Sequence, residues 1–140
     1  MKEKLQRVGT SYLPVTDVEL SAKWYAGKLG AEVNYQDAEK AIVNFADQSF
    51  FLVKAGANQS ANFYDADGQE HFSMTVEVNG MNALEAVRTE LIQNGVKTGQ
   101  IEDRGHPGKN FVFYDPDGNK FDVWSELNLE FKKLHNLERV

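Results

Sequence analysis

Apolar and polar positions along the 140-residue chain fall into two successive series with the same internal order. Val8 to Thr16 alternates as a half-buried strand does, and Asp17 stands where a helix N-cap is needed. From Val18 to Leu29 the period lengthens. Val18, Ala22, Tyr25 and Leu29 share one helical face with Trp24 at its margin, and Gly30 supplies the stop. Three short strands follow, over 31–36, 40–45 and 49–54, divided by turns so brief that the strands must be antiparallel neighbours. The segment 55–69 is rich in Gly, Ala, Asn, Asp and Ser and reads as a linker. It carries Phe63 and Tyr64, two aromatics that a ligand, the domain or a partner has to cover.

The order then repeats. A strand over 71–78 leads to a helix over 82–94 with Leu84, Val87 and Leu91 on one face, and Gly95 ends it as Gly30 ended the first. A strand over 96–101, a Gly-rich loop over 104–109 and a strand over 110–114 follow. The turn Asp115-Pro116-Asp117-Gly118 then opens the last strand, 120–124. Thr10 to Val15 also lies weakly over His71 to Val76, and Phe45-Ala46-Asp47 over Phe113-Tyr114-Asp115. Two β-α-β-β-β half-units bury their apolar faces where a linear array would need more repeats, so the reading is one α+β domain over 1–140. Its halves are about 8–54 and 71–126. The tail, 127–140, has Leu127, Phe131, Leu134 and Leu137 at near-helical spacing and forms an amphipathic helix in this reading.

Composition removes several function classes. A 41% hydrophobic and 11% aromatic content supplies a core without staples, and the absence of cysteine excludes thiolate metal sites and cysteine nucleophiles. A net charge of −6 argues against nucleic acid, whose phosphates call for clustered Lys and Arg. No apolar run approaches the length of a membrane span and the N-terminus lacks a signal-peptide pattern, so a cytoplasmic protein with no membrane partner is expected. No serine sits in a nucleophile elbow, and no glycine-rich loop has phosphate-binding spacing.

Two motifs carry a family resemblance. Leu13-Pro14-Val15-Thr16-Asp17 leads into Trp24-Tyr25 and Leu29-Gly30, and Asn110-Phe111-Val112-Phe113-Tyr114 leads through Asp115-Pro116-Asp117-Gly118 to Asp122. In order, and on a duplicated frame running from about Val8 to Glu126, they resemble the vicinal oxygen chelate superfamily of glyoxalases, bleomycin-resistance proteins and extradiol dioxygenases. The resemblance implies an eight-stranded, incompletely closed barrel-like sheet around a central cavity, and a homodimer. In the metalloenzymes of that superfamily up to four inward side chains hold a divalent metal. Those positions fall here on Thr10, on Leu52 or its neighbour Phe51, on His71 and on Asp122. Only His71 and Asp122 are ordinary metal donors, fewer than the three or four that hold a catalytic metal firmly. His106 lies in the Gly-rich loop and His135 on the tail; neither completes the set, and both read as surface histidines.

Strand alternation adds a view of the lining. On the strand 71–78 the polar face is His71, Ser73, Thr75 and Glu77; on the first strand Thr10, Tyr12 and Pro14 point inward; the last strand adds Asp122 and Trp124. The fourth strand is expected to contribute Phe50, Leu52 and Lys54. The expected ligand-contacting set is therefore Thr10, Tyr12, Phe50, Leu52, His71, Ser73, Asp122 and Trp124, aromatic and apolar with a few convergent polar groups. The leading expectation is a protein that binds a small aromatic or amphipathic organic molecule, without a cofactor or a complete metal site. The alternative is a metal-dependent lyase, isomerase or ring-cleaving dioxygenase using His71 and Asp122. A buried His71 near Asp122 would form an imidazole-carboxylate pair, either a general base or simply two buried polar groups satisfying each other, with structure or ligand binding the favoured role. A third reading makes the chain an interaction module built on the tail helix.

Overall fold

The structure is a computed structural model and describes residues 3–137, so the last three residues of the expected tail helix lie outside the described residues. The chain divides into two compact units, Met1–Ser60 and Ala61–Val140.

The first unit runs β1 (Thr10–Val15), α1 (Val18–Leu29), β2 (Glu32–Gln36), β3 (Lys40–Phe45) and β4 (Gln48–Lys54). Its four strands hydrogen-bond in the order β1-β4-β3-β2, with β1 and β4 parallel and the two hairpin pairs antiparallel. Asp17 caps α1 as expected, its Oδ1 accepting the Leu20 N–H at 3.0 Å, and Gly30 closes the helix in the left-handed region at φ 68°. The buried stripe of α1 is Val18, Ser21, Ala22 and Tyr25, and the helix contacts β2, β3 and β4. Leu13, Val15, Ala41, Val43, Phe50 and Leu52 are all buried. The registers Leu13↔Leu52, Ala41↔Leu52 and Val43↔Phe50 put them on one face of the sheet. Phe45 and Phe50 stack there at 4.4 Å.

The second unit runs β5 (Phe63–Tyr64), β6 (Glu70–His71), β7 (Thr75–Glu77), α2 (Met81–Gln93), β8 (Asn110–Tyr114), β9 (Lys120–Trp124) and α3 (Leu129–Leu134). β5 and β6 form a two-stranded hairpin, and β7-β9-β8 a three-stranded sheet with β7 parallel to β9. Three departures from the sequence reading follow from this pairing. The expected strand 71–78 is cut in two, because Glu70–His71 bonds to β5 whereas Thr75–Glu77 bonds to β9. The linker itself supplies a strand, β5. The expected strand 96–101 survives only as the isolated bridges Thr98↔Phe113 and Glu102↔Asn110. At Gly99 the segment passes so close to Val112 that a Cβ there would stand 3.1 Å from the valine Cγ2. The described strands thus pair as sheets of four, two and three, and the expected single eight-stranded sheet is not formed by their hydrogen bonds.

In the three-stranded sheet Val76, Phe111, Phe113, Phe121 and Val123 share one face, on which Phe113 and Phe121 stack at 5.0 Å with their planes 9° apart. Of the expected core positions of α2, Leu84 and Leu91 are buried and Val87 is half-buried. The turn Asp115-Pro116-Asp117-Gly118 is held by its first residue. Asp115 Oδ1 accepts the N–H groups of Asp117 and Asn119, and Gly118 takes φ 84°, which a side chain would oppose. Among its described residues the tail forms the six-residue α3, shorter than the expected helix over 127–140, capped by Asn128 and carrying exposed Leu129 and Leu134. Among the described residues no helix is long and apolar enough to cross a membrane.

Candidate functional site

In the first unit the expected lining residues separate. Thr10 and Tyr12 lie on the face opposite the buried one, where the Tyr12 ring meets Phe51 at 5.2 Å, whereas Phe50 and Leu52 belong to the helix-side core. The face expected for β4 is therefore corrected by one residue, so that Ser49, Phe51 and Val53 accompany Thr10, Tyr12 and Pro14. Neither Phe51 nor Leu52 offers a donor atom to a metal, and Thr10 offers only a neutral hydroxyl.

The second unit gathers polar chemistry around Asp122. Its register partners Thr75 and Val112, with Asn110 and Trp124, share the face opposite the phenylalanine core. Asp122 is 2% exposed and both of its carboxylate oxygens accept hydrogen bonds. Oδ2 accepts from Thr75 Oγ1 at 2.8 Å and from Asn110 Nδ2 at 2.9 Å, and Oδ1 accepts from Arg104 Nη1 at 3.0 Å. Arg104 Nε in turn donates to Glu102 at 2.9 Å, and the guanidinium lies over the Phe72 ring, 5.4 Å from its centroid. Burial works against the Arg104 charge, but the bond to Glu102 and the charge of Asp122 outweigh it, so its pKa is raised above the ordinary value. The buried carboxylate thus has a fixed cation supplied by the chain itself. One atom of this network has no protein partner: Asn110 Oδ1 is buried and receives no hydrogen bond.

The imidazole-carboxylate pair expected between His71 and Asp122 is not the arrangement found. His71 lies in the β5-β6 hairpin, its Nδ1 2.8 Å from the Phe72 carbonyl, and its ring stacks on Phe63 at 5.0 Å and meets Phe72 at 4.3 Å. Ser73, expected beside it, is exposed. Trp124 donates its indole N–H to the Pro107 carbonyl at 2.9 Å, and its ring stands near-perpendicular to that of His106, 5.6 Å between centroids. Phe63, His71, Phe72 and Arg104 are therefore planar groups joined through short contacts to the Asp122 network, and Trp124 with His106 forms a second group on the same unit. Arg104, Asn110 and Thr75 were not on the expected list; the alternation that selected His71 and Ser73 also places Thr75 on the polar face, and that was the one signal for it.

The loop carrying Arg104 is fastened at both ends. Glu102 bridges to Asn110, Asp103 accepts the Gly105 N–H at 3.0 Å, and Lys109 N–H donates to Ser125 Oγ at 2.9 Å. Gly108 has φ 73°, and a Cβ there would stand 2.5 Å from Ser125 Oγ and 3.0 Å from Trp124 Nε1. Gly108→Ala is expected to destabilise the protein by about 1 to 3 kcal/mol through left-handed strain and the clash, and to move the Trp124 indole N–H resonance. An unshifted resonance in a variant of wild-type stability would show that the loop does not depend on this close approach.

Among the described residues no group of three or more His, Asp or Glu side chains is gathered as a metal would require. Of the two ordinary donors expected, the Asp122 carboxylate is paired with a guanidinium and the His71 imidazole stacks on Phe63. A family model described as the Glyoxalase/Bleomycin resistance protein/Dioxygenase superfamily matches residues 4–123. The chain belongs to that superfamily. A search of curated proteins finds no match. Among solved structures, this superfamily member is similar to lactoylglutathione lyase from Agrobacterium tumefaciens at TM-score 0.67 and 13% identity, over 87% of this chain and 95% of that one. It is similar to the fosfomycin resistance protein FosX from Listeria monocytogenes complexed with Mn(II) and sulfate, at TM-score 0.71 and 14% identity, over 94% and 99%. An antibiotic-binding protein from a Streptomyces species matches at TM-score 0.65 and 18% identity, over 87% and 97%. At these identities the likeness is one of fold.

Proposed function

We propose that this superfamily member binds a small aromatic or amphipathic organic molecule and does so without a complete catalytic metal site. The observation that carries the reading is the state of Asp122. It stands at the position where the family resemblance puts the last metal-ligating carboxylate, yet both of its oxygens are taken by Thr75, Asn110 and Arg104. A metal would have to displace the guanidinium from a buried carboxylate, and would find His71 as its one further ordinary donor. The planar groups of the second unit supply the surface, since partly exposed aromatic rings with a few oriented polar atoms are the usual make-up of a small-molecule site. The antibiotic-binding relative is consistent with this use of the fold. The two units are proposed to serve one functional domain, and the protein to be a cytoplasmic homodimer.

The test is elemental analysis of protein purified without chelator, followed by titration with manganese, nickel, zinc and iron. The expected result is no stoichiometric metal and no affinity tighter than that of a surface carboxylate. Stoichiometric metal that disappears in His71→Ala would overturn the reading and establish a metal-dependent lyase, isomerase or dioxygenase in its place.

A further inference from the structure

We propose that the open edge of the Arg104 guanidinium is the recognition point for the oxygen of a neutral aromatic carbonyl compound whose ring lies along the planar groups of the second unit. The proposal rests on the ligand-binding reading above and names the class of molecule. Arginine carries five N–H donors, and two are used here: Nε on Glu102 and one Nη1–H on Asp122. Among the described residues the other Nη1–H and both hydrogens of Nη2 have no hydrogen-bond partner, and the side chain is 26% exposed. It is also oriented in advance. Asp122 is held by Thr75 and Asn110 from the sheet, and Phe72 lies beneath the guanidinium plane, so little side-chain freedom remains to be lost on binding.

Charge decides which oxygen the edge takes. Arg104 already faces two carboxylates, Glu102 and Asp122, so the local sum is negative and a full anion gains little there. A ligand cation would meet unpaired N–H donors. A neutral carbonyl oxygen avoids both penalties and accepts the free donors in the plane of the fork. The Glu102 carboxylate, half exposed beside the same guanidinium, supplies a second requirement, because it can accept an N–H or O–H of the ligand. Carbonyl and donor side by side on a flat ring system describe an aromatic carboxamide or a hydroxyaryl ketone. Phe72 beneath the Arg104 guanidinium, and Trp124 two residues from Asp122 on the same strand face, are flat groups that suit such a ring by stacking.

The experiment uses three planar probes of one shape and different charge: 2-naphthamide, 2-naphthoate and 2-naphthamidine. Binding to the full chain is measured by ligand-observed NMR titration, for wild type and for Arg104→Lys, which keeps a cation on Asp122 but loses the fork. The expected result is naphthamide binding at least tenfold tighter than either charged probe, with that preference lost in Arg104→Lys and the Arg104 Nε–H resonance of the wild type shifted on titration. Equal binding of all three probes, unchanged in Arg104→Lys, would overturn the Arg104 assignment and leave the ligand-binding reading standing. No binding of any probe would overturn both.

Discussion

Replacing Arg104 by methionine is expected to destabilise the protein by about 2 to 3 kcal/mol, and adding Asp122→Asn to that variant to recover most of the loss. The reason is the asymmetry between removing a pair and breaking one. Asp122 is buried beneath its partners, so deleting the guanidinium leaves a charge without compensation, a situation that costs about 3 to 5 kcal/mol when both partners are buried. Arg104 is partly exposed and water reaches its end of the pair, which lowers the figure. Asparagine in place of Asp122 removes the charge while its carbonyl oxygen still accepts from Thr75 or Asn110. Urea melts of the wild type, both single variants and the double variant give the coupling energy directly. A loss below about 0.5 kcal/mol in R104M would mean that solvent alone neutralises Asp122, and the account of this network would fail.

The second large effect lies in the first unit and separates two adjacent residues. Leu52→Ala is expected to cost about 2 to 5 kcal/mol, because the side chain is wholly enclosed by the helix-side core and its removal leaves a cavity. Phe51→Ala is expected to cost under about 1.5 kcal/mol, since its ring is on the other face with Tyr12 and only part of its surface is covered. The order of the two denaturation midpoints is the readout. If Phe51→Ala proved the more damaging, the register Leu13↔Leu52 would be wrong by one residue.

That pair of residues also shows where the sequence stops being informative. Phe50-Phe51-Leu52-Val53 is apolar at four successive positions, so alternation has no contrast from which to assign a face. Lys40–Phe45 was legible to the residue because short turns bound it at both ends, and Lys120–Trp124 because the Asp115–Gly118 turn fixes where it begins. The break between His71 and Thr75 was not legible. Every residue in that stretch suits an extended chain, and only the choice of two different strand partners interrupts it.

The candidate site divides in the same way. Asp122 and Trp124 were visible from their parity on the last strand and from the turn that precedes it, both local properties of the chain. Arg104 was not, for a single arginine in a Gly-rich loop has no period, and its partner lies eighteen residues away. By itself the sequence determined the first helix with its caps, the approximate course of the second, the hairpins of the first unit, the Asp115–Gly118 turn and the family, since each depends on neighbours within a few positions or on motifs spaced along the chain. The tertiary structure alone decided which face of β4 is buried, that His71 and Asp122 do not pair, and that an arginine holds the carboxylate. Those outcomes turn on register and on loop course, which bring distant side chains to within a hydrogen bond and leave no mark on local pattern.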